Sequence, residues 1–520
     1  MSWQTFKKFF VYLHPLKLSL DTSKVPFKEN FFQSMQSKIV RAFNDMEALE
    51  AGNIANPDEK RMVGHYWLRN FQLAPNQNIN MVLHDNWLKV RTFTEKIINQ
   101  EIQGSQGPFK YLLCVGIGGS ALGPQLLSDA LDRKSKGLRA LFIDNTDPDG
   151  IFRTLKKIYK HLGQTLVLVT SKSGGTPEPR NGLMEVKAAF ARQKIPFNQH
   201  AVAITCEGSK LDLMAQEERW LARFPMWDWV GGRTSLFSNV GLVPAALQNI
   251  DISALVQGAT EMDILTRNTE VLTNPAMMLA LSWYACTEGT GKRNMVVLPY
   301  KDALVLFPRY LQQLVMESLG KKFANDGRKI YQGLTVYGNK GSTDQHAYVQ
   351  QLRDGLDDAF VTFIEVQVPH NGSNVQVEYI IYPPSHTALA QASSISYCAE
   401  RQKSDILFPH AFITSASFLN IPSPLHGASM IILSKNIGNL SAILSGDSLS
   451  TTALVKPKSS TFLRRAFVLD VLISFVTSIP SPLSLAPACV LFPPGAAHTS
   501  KTRSPGCISA TAAVDIAEGS

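Results

Sequence analysis

Residues 111–124 read YLLCVGIGGSALGP, and residues 166–176 read LVLVTSKSGGT. Each is a short apolar run that breaks into glycine and hydroxyl residues just before a helical pattern begins. Tyr111–Val115 and Leu166–Thr170 are therefore expected to be strands that feed a tight turn and then a helix, as in a βαβ unit. The same kind of run recurs at Ala140–Ile143 and Ala201–Thr205, and a second series occupies Asn294–Leu298, Leu334–Tyr337 and Ala359–Val366. Apolar strands alternating with longer helical stretches predict an α/β fold of parallel sheets with helices on both faces. Two such domains are expected, at residues 106–260 and 261–378, behind a helical N-terminal segment at 1–105. Residues 379–520 form a tail of different texture.

Composition narrows the function classes. With 520 residues and 45% hydrophobic content, the chain can bury a large core in each of two or three domains. The formal charge of +9 is modest and contains no dense basic run, so no nucleic-acid partner is expected, whereas a small anionic substrate suits it. Cys114, Cys206, Cys286, Cys398, Cys489 and Cys507 are scattered without a C-x-x-C pair, which signals neither zinc nor a disulfide framework and fits a reducing cytoplasm. Met1–Leu20 lacks a continuous apolar core and a small-residue cleavage site, so no targeting peptide is expected. The apolar stretch Ala466–Val476 is interrupted by Asp470 and falls short of the roughly 20 residues of a membrane span.

The two turns invite an anion. In Gly116–Pro124, glycines allow backbone N–H groups to approach a ligand at a helix N-terminus, where the dipole favours negative charge. Gly116, Gly118 and Ala121 also satisfy G-x-G-x-x-A, and Asp144 ends the next strand, so a dinucleotide site competes with a phosphate site and with a plain turn. Ser171-Lys172-Ser173-Gly174-Gly175-Thr176 sets three hydroxyls and a cation in six residues before Pro177, a donor set for a phosphate monoester. A dinucleotide domain has no need of this second cradle, although a capping loop would also use such residues.

Acid–base candidates lie further on. Glu317 falls in an expected helix over 309–322 with Gln313 four residues earlier on the same face, although a helical glutamate is more often a solvated surface residue. His346 stands in the polar run GSTDQHA, placed either for proton transfer or as a cap. Arg233 follows two glycines in WVGGRTS, where a structural ion pair is the alternative to a cation beside a ligand.

Taken in chain order, VGIGGSALGP, TSKSGGTPE, WVGGRTSLFS, LQQLVMESLGKK and GSTDQHAYVQQLRDG resemble the signatures of the glucose-6-phosphate isomerase family, over roughly residues 30–378. The resemblance implies two sugar-isomerase α/β/α domains and interconversion of glucose 6-phosphate and fructose 6-phosphate in glycolysis and gluconeogenesis. It further implies no metal or organic cofactor, and a homodimer. By the same resemblance, Ser120, Ser171, Lys172, Ser173 and Thr176 bind substrate, mostly at the phosphate, and Gly232 and Arg233 lie beside the reacting carbons. Glu317 is the base, Gln313 positions substrate, and His346 opens the ring from the neighbouring subunit. Alternatives in other classes are an inactive sugar-phosphate-binding protein and an NAD-dependent oxidoreductase built on the Gly116 turn.

After Glu378 the pattern changes. Of the last 142 residues, 24 are serine and 12 proline, and no helical or strand period is sustained. The family's terminal Q-x-G-V-x-x-G-K segment has no counterpart there, so no residue is assigned its ring-opening lysine. An out-of-frame read of the gene accounts for the change better than divergence, which tends to preserve apolar periodicity. The tail is expected to be disordered or loosely associated.

Overall fold

The computed structural model describes residues 3–54, 60–131, 136–324 and 327–366, and the backbone of 428–434. Near the N-terminus, β1 (Phe10–Leu13) and β2 (Leu18–Lys24) make an antiparallel hairpin, and the helices Phe31–Glu50 and Gln77–Ile98 follow. The first segment is thus largely helical over Trp3–Phe9 and from residue 31, but Phe10–Leu13 and Leu18–Lys24 are strands where helix was expected; the aromatic and β-branched run FVYL favours a pleated surface.

β3 (Tyr111–Val115), β4 (Arg139–Ile143), β5 (Thr165–Thr170), β6 (Ala201–Thr205) and β7 (Ala222–Pro225) pair entirely in parallel, in the order β4-β3-β5-β6-β7. Successive side chains on these strands enter opposite layers. Leu112 and Cys114 pack with Leu168 and Ile204 in one core, while Leu113 and Val115 pack with Val167, Val169 and Ala203 in the other. Burial on both faces explains why the strands are continuously apolar.

The second sheet has a parallel centre. β8 (Asn294–Pro299) lies between β11 (Val336–Tyr337) and β12 (Ala359–Val366), parallel to both. β9 (Lys321–Phe323) and β10 (Lys329–Gln332) form a separate hairpin. β13 (Ala428–Ser434) then inserts between β12, antiparallel, and β2, parallel, giving six strands in the order β1-β2-β13-β12-β8-β11. This sheet is mixed rather than wholly parallel, and the aperiodic tail supplies a strand that its sequence does not announce. The rest of the tail expectation falls on 379–427 and 435–520, outside the described residues.

Both sheets present loops and helices beyond the carboxyl ends of their strands. Order along the first sheet reverses between β3 and β5, so the loops leaving their carboxyl ends, Gly116–Ala121 and Ser171–Thr176, open a crevice at the switch point. In the second, β8 is flanked by β11 and β12, and the helix after β8 carries Gln313 and Glu317. Among the described residues no helix is long and apolar enough to cross a membrane.

Candidate active site

The two glycine turns are shaped by contact. Gly118 has φ +56°, and a Cβ there would stand 3.2 Å from the Gln313 side-chain nitrogen. A Cβ on Gly119 would fall 2.0 Å from the Gly232 carbonyl oxygen, so these two backbones touch where no side chain fits. The buried Ser235 hydroxyl spans the contact, donating toward the carbonyls of Gly119 at 3.1 Å and Gly232 at 2.7 Å. The first turn therefore meets the WVGGRTS segment on one side and the Gln313 helix on the other. Asp144, the acid of the competing dinucleotide reading, accepts a hydrogen bond from Gln125 at 2.8 Å and lies 3.8 Å from Arg309.

In the second turn the hydroxyls are held by their own loop. Ser171 Oγ accepts from Gly174 N at 3.1 Å, and Ser173 Oγ accepts from Gly175 N at 3.2 Å. An accepting hydroxyl keeps its own proton to donate outward, so both serines stay equipped for an anionic oxygen. Gly174 has φ +67° and lies against the Leu211 backbone, which excludes a side chain. Thr176 occupies the N-cap of the helix Pro177–Arg192 without spending its side chain on a cap bond. Lys172 Nζ donates to the carbonyls of Asp228 at 2.8 Å and Val230 at 3.1 Å, tying this cradle to the Gly231–Gly232 turn.

Arg233 and Glu317 form an ion pair between elements that follow the two sheets' strands. Arg233 Nη1 lies 3.1 Å from Glu317 Oε1, and Arg233 Nε donates to Ser318 Oγ at 2.6 Å. The arginine side chain is only 10% exposed while the glutamate is 52% exposed, so a largely desolvated cation faces an accessible carboxylate. Tyr310 Oη approaches the Arg233 carbonyl at 3.4 Å. The expected helix over 309–322 differs in detail. It is α-helical over Phe307–Leu311 and π-helical over Gln312–Glu317, and Lys321 already begins β9. Glycine ends it: Gly320 N donates to Met316 O at 2.8 Å, and Lys321 Nζ caps the Glu317 carbonyl at 2.8 Å.

His346 is elsewhere. It sits exposed on a turn over Asp344–His346, and no hydrogen bond or ion pair joins it to Glu317 among the described residues. Buried Asp344 anchors that loop by accepting from Asn339 N at 2.7 Å and from the Tyr348 hydroxyl. Gln345 and Tyr300 are also hydrogen-bonded there. Among the described residues no cluster of His, Cys, Asp or Glu could hold a metal ion.

The family model for phosphoglucose isomerase matches residues 21–408. The glucose-6-phosphate isomerase of Nostoc sp. is 55% identical over 377 residues, which is 72% of this chain and 71% of the relative. The chain belongs to the phosphoglucose isomerase family. The glucose-6-phosphate isomerase of a Synechococcus sp. is 57% identical over 366 residues, covering 70% of this chain and 69% of the relative. A crystal structure of a glucose-6-phosphate isomerase from Chlamydia trachomatis shares the fold, with a TM-score of 0.69 at 22% identity over 93% of this chain and 86% of that one. The phosphoglucose isomerase match also runs past Glu378, where the resemblance was expected to end, to residue 408.

Gly118 thus meets Gln313, Gly119 meets Gly232 and Arg233 meets Glu317, with Ser120 next in the same turn and the Ser171–Thr176 cradle tied in through Lys172. Sequence reasoning passed over Ser235, Tyr310 and Ser318. Ser235 and Ser318 lie inside the motifs already singled out, and the hydroxyl next to Glu317 was the available signal.

Proposed function

We propose that the chain interconverts D-glucose 6-phosphate and D-fructose 6-phosphate, with Glu317 as the base. On the open-chain aldose, the Glu317 carboxylate takes the proton from C2 while the electron pair forms the C1–C2 double bond of a cis-enediol. The hydroxyl proton of C2 is passed to the C1 oxygen, and Glu317 returns its proton to C1 as the ketone forms at C2. One carboxylate can serve both carbons because they are adjacent. The Arg233 guanidinium lies where the enediolate's negative charge develops.

The Ser171, Ser173 and Thr176 hydroxyls, with Ser120 across the crevice, hold the phosphate, and Lys172 and Gln313 fix the approach of the sugar. The Arg233–Glu317 contact at 3.1 Å, an accessible carboxylate on a buried guanidinium beside two anion cradles, carries this reading. Proton transfer of this kind requires no metal or organic cofactor. His346, exposed on an anchored loop, is assigned to the ring-opening step of a neighbouring subunit in a homodimer working in the cytoplasm, within glycolysis and gluconeogenesis.

The reading is tested on the purified full chain by coupled assay in both directions. Turnover that falls with Glu317→Gln while fructose 6-phosphate binding persists supports it. Binding without any turnover in the parent favours the second reading, a sugar-phosphate-binding protein, for which the unassigned ring-opening lysine speaks.

A further inference from the structure

Two consecutive residues, Glu317 and Ser318, touch the same guanidinium. On a regular α-helix neighbouring side chains point roughly 100° apart and do not face a common partner. Here the π-helical turn Gln312–Glu317 precedes them, and such single-turn widenings recur at functional sites because they re-aim the residues at their end. Ser318 Oγ accepts from Arg233 Nε at 2.6 Å, the shorter of the two contacts. Arginine can otherwise meet a carboxylate with two parallel N–H groups, a fork that would engage both oxygens. With Nε held by the serine, the edge that pairs Nε with Nη2 is occupied and the guanidinium is fixed in the orientation that meets Glu317 Oε1 through Nη1. Among the described residues Glu317 Oε2 accepts no hydrogen bond.

We propose that Ser318 is a positioning residue, whose hydroxyl fixes the Arg233 guanidinium so that it holds one oxygen of Glu317 and leaves the other to meet substrate. The role rests on Glu317 as the base and adds a residue that acts through Arg233 without touching the reacting atoms. Loss of the hydroxyl frees the guanidinium to turn and present a pair of parallel N–H groups to both carboxylate oxygens. Chemistry then slows while the phosphate cradles, which lie on other loops, bind as before.

Two measurements test it. In the full chain, the Arg233 Nε–H resonance, assigned by its loss in Arg233→Lys, should be protected from solvent exchange. It should exchange about tenfold faster in Ser318→Ala and like the parent in Ser318→Thr, which keeps the hydroxyl. In turnover, Ser318→Ala should lower kcat about tenfold with KM for fructose 6-phosphate nearly unchanged, and Ser318→Thr should restore most of kcat. An Nε–H signal indifferent to Ser318→Ala overturns the proposal, as does an altered signal with unaltered kcat, or equal losses in the alanine and threonine variants. Should the parent not turn over substrate at all, the isomerase reading falls, and the Nε–H exchange still decides whether Ser318 holds the guanidinium.

Discussion

Replacing Gly119 by alanine is the sharpest structural test of the site. The added methyl would lie 2.0 Å from the Gly232 oxygen, 2.2 Å from its carbonyl carbon and 2.9 Å from its Cα, where ordinary contact begins at 3.4 Å. The shortfall is 3.4 minus 2.0, or 1.4 Å, and it must be met by backbone on both sides because no flexible side chain intervenes. Separation by that amount also strains the Ser235 hydroxyl bridge between the two carbonyls. Overpacking of this kind costs about 1–3 kcal/mol, which a domain of this size survives. A misplacement near 1 Å at reacting groups costs about 10²-fold in rate, and Arg233 is the next residue after the displaced one. Gly119→Ala should therefore remain folded and lose about 10²-fold in kcat/KM for fructose 6-phosphate, measured by coupled assay beside a thermal melt. Gly232→Ala, whose methyl meets no atom of the described residues within 4 Å, should melt like the parent. Turnover of Gly119→Ala within threefold of the parent, about 0.65 kcal/mol, would refute the claim that this backbone contact sets the site's geometry.

Glu317→Gln should lower turnover by about 10²–10⁴-fold while calorimetry finds fructose 6-phosphate binding little changed. Thr176→Val should weaken fructose 6-phosphate much more than free fructose, because the threonine hydroxyl is not spent on capping its helix; equal weakening counts against a phosphate role. Burial pushes the Asp212 carboxyl up, but the Gly208 N–H, the Arg223 guanidinium at 2.6 Å and the Gln216 amide outweigh it and hold the group below the usual carboxylate range. A depressed carboxylate stabilises the fold above its unfolded pKa and loses that contribution as pH falls through the folded value. Asp212→Asn should thus lower the melting temperature at neutral pH and shrink the difference from the parent in acid. Hydrogen exchange should find the amides of Ala428–Ser434 as protected as those of β12, their antiparallel partner; exchange at the rate of an open chain would remove β13 from the sheet.

The strands legible in the sequence are those buried on both faces. Tyr111–Val115, Ala201–Thr205 and Ala359–Val366 match their predicted bounds, since a continuous apolar run between turn signals has few other solutions in an alternating pattern. Strands held by pairing rather than by their own pattern were missed. β7 reads ARFP, with a charge and a proline in four residues, and is recognised only by its place beside β6. β13 lies in a stretch without sustained period and is fixed by β12 and β2, which are more than sixty and four hundred residues away. The π-helical turn at Gln312–Glu317 leaves no mark either, because one extra residue per turn does not alter which residues are apolar.

At the site, motifs named the residues but not their partners. Arg233 and Glu317 are 84 positions apart and stand on elements of different sheets, so no spacing rule could pair them. The bland sequence alternatives, a structural ion pair for the arginine and a solvated face for the glutamate, are each half right: the arginine is paired, the glutamate is exposed, and they are the same contact. On the proposed mechanism that combination is useful. Before reaction the guanidinium balances the carboxylate; once Glu317 has taken the proton from C2 it is neutral, and the negative charge resides on the enediolate. A cation that is already desolvated and held by Ser318 meets the charge in its new position without reorganising, so the interaction is stronger in the transition state than in the ground state. A lysine at position 233 would keep the charge but lose the separate N–H directions that let one side chain hold serine and carboxylate together. Arg233→Lys should for that reason cost turnover far more than it costs substrate binding.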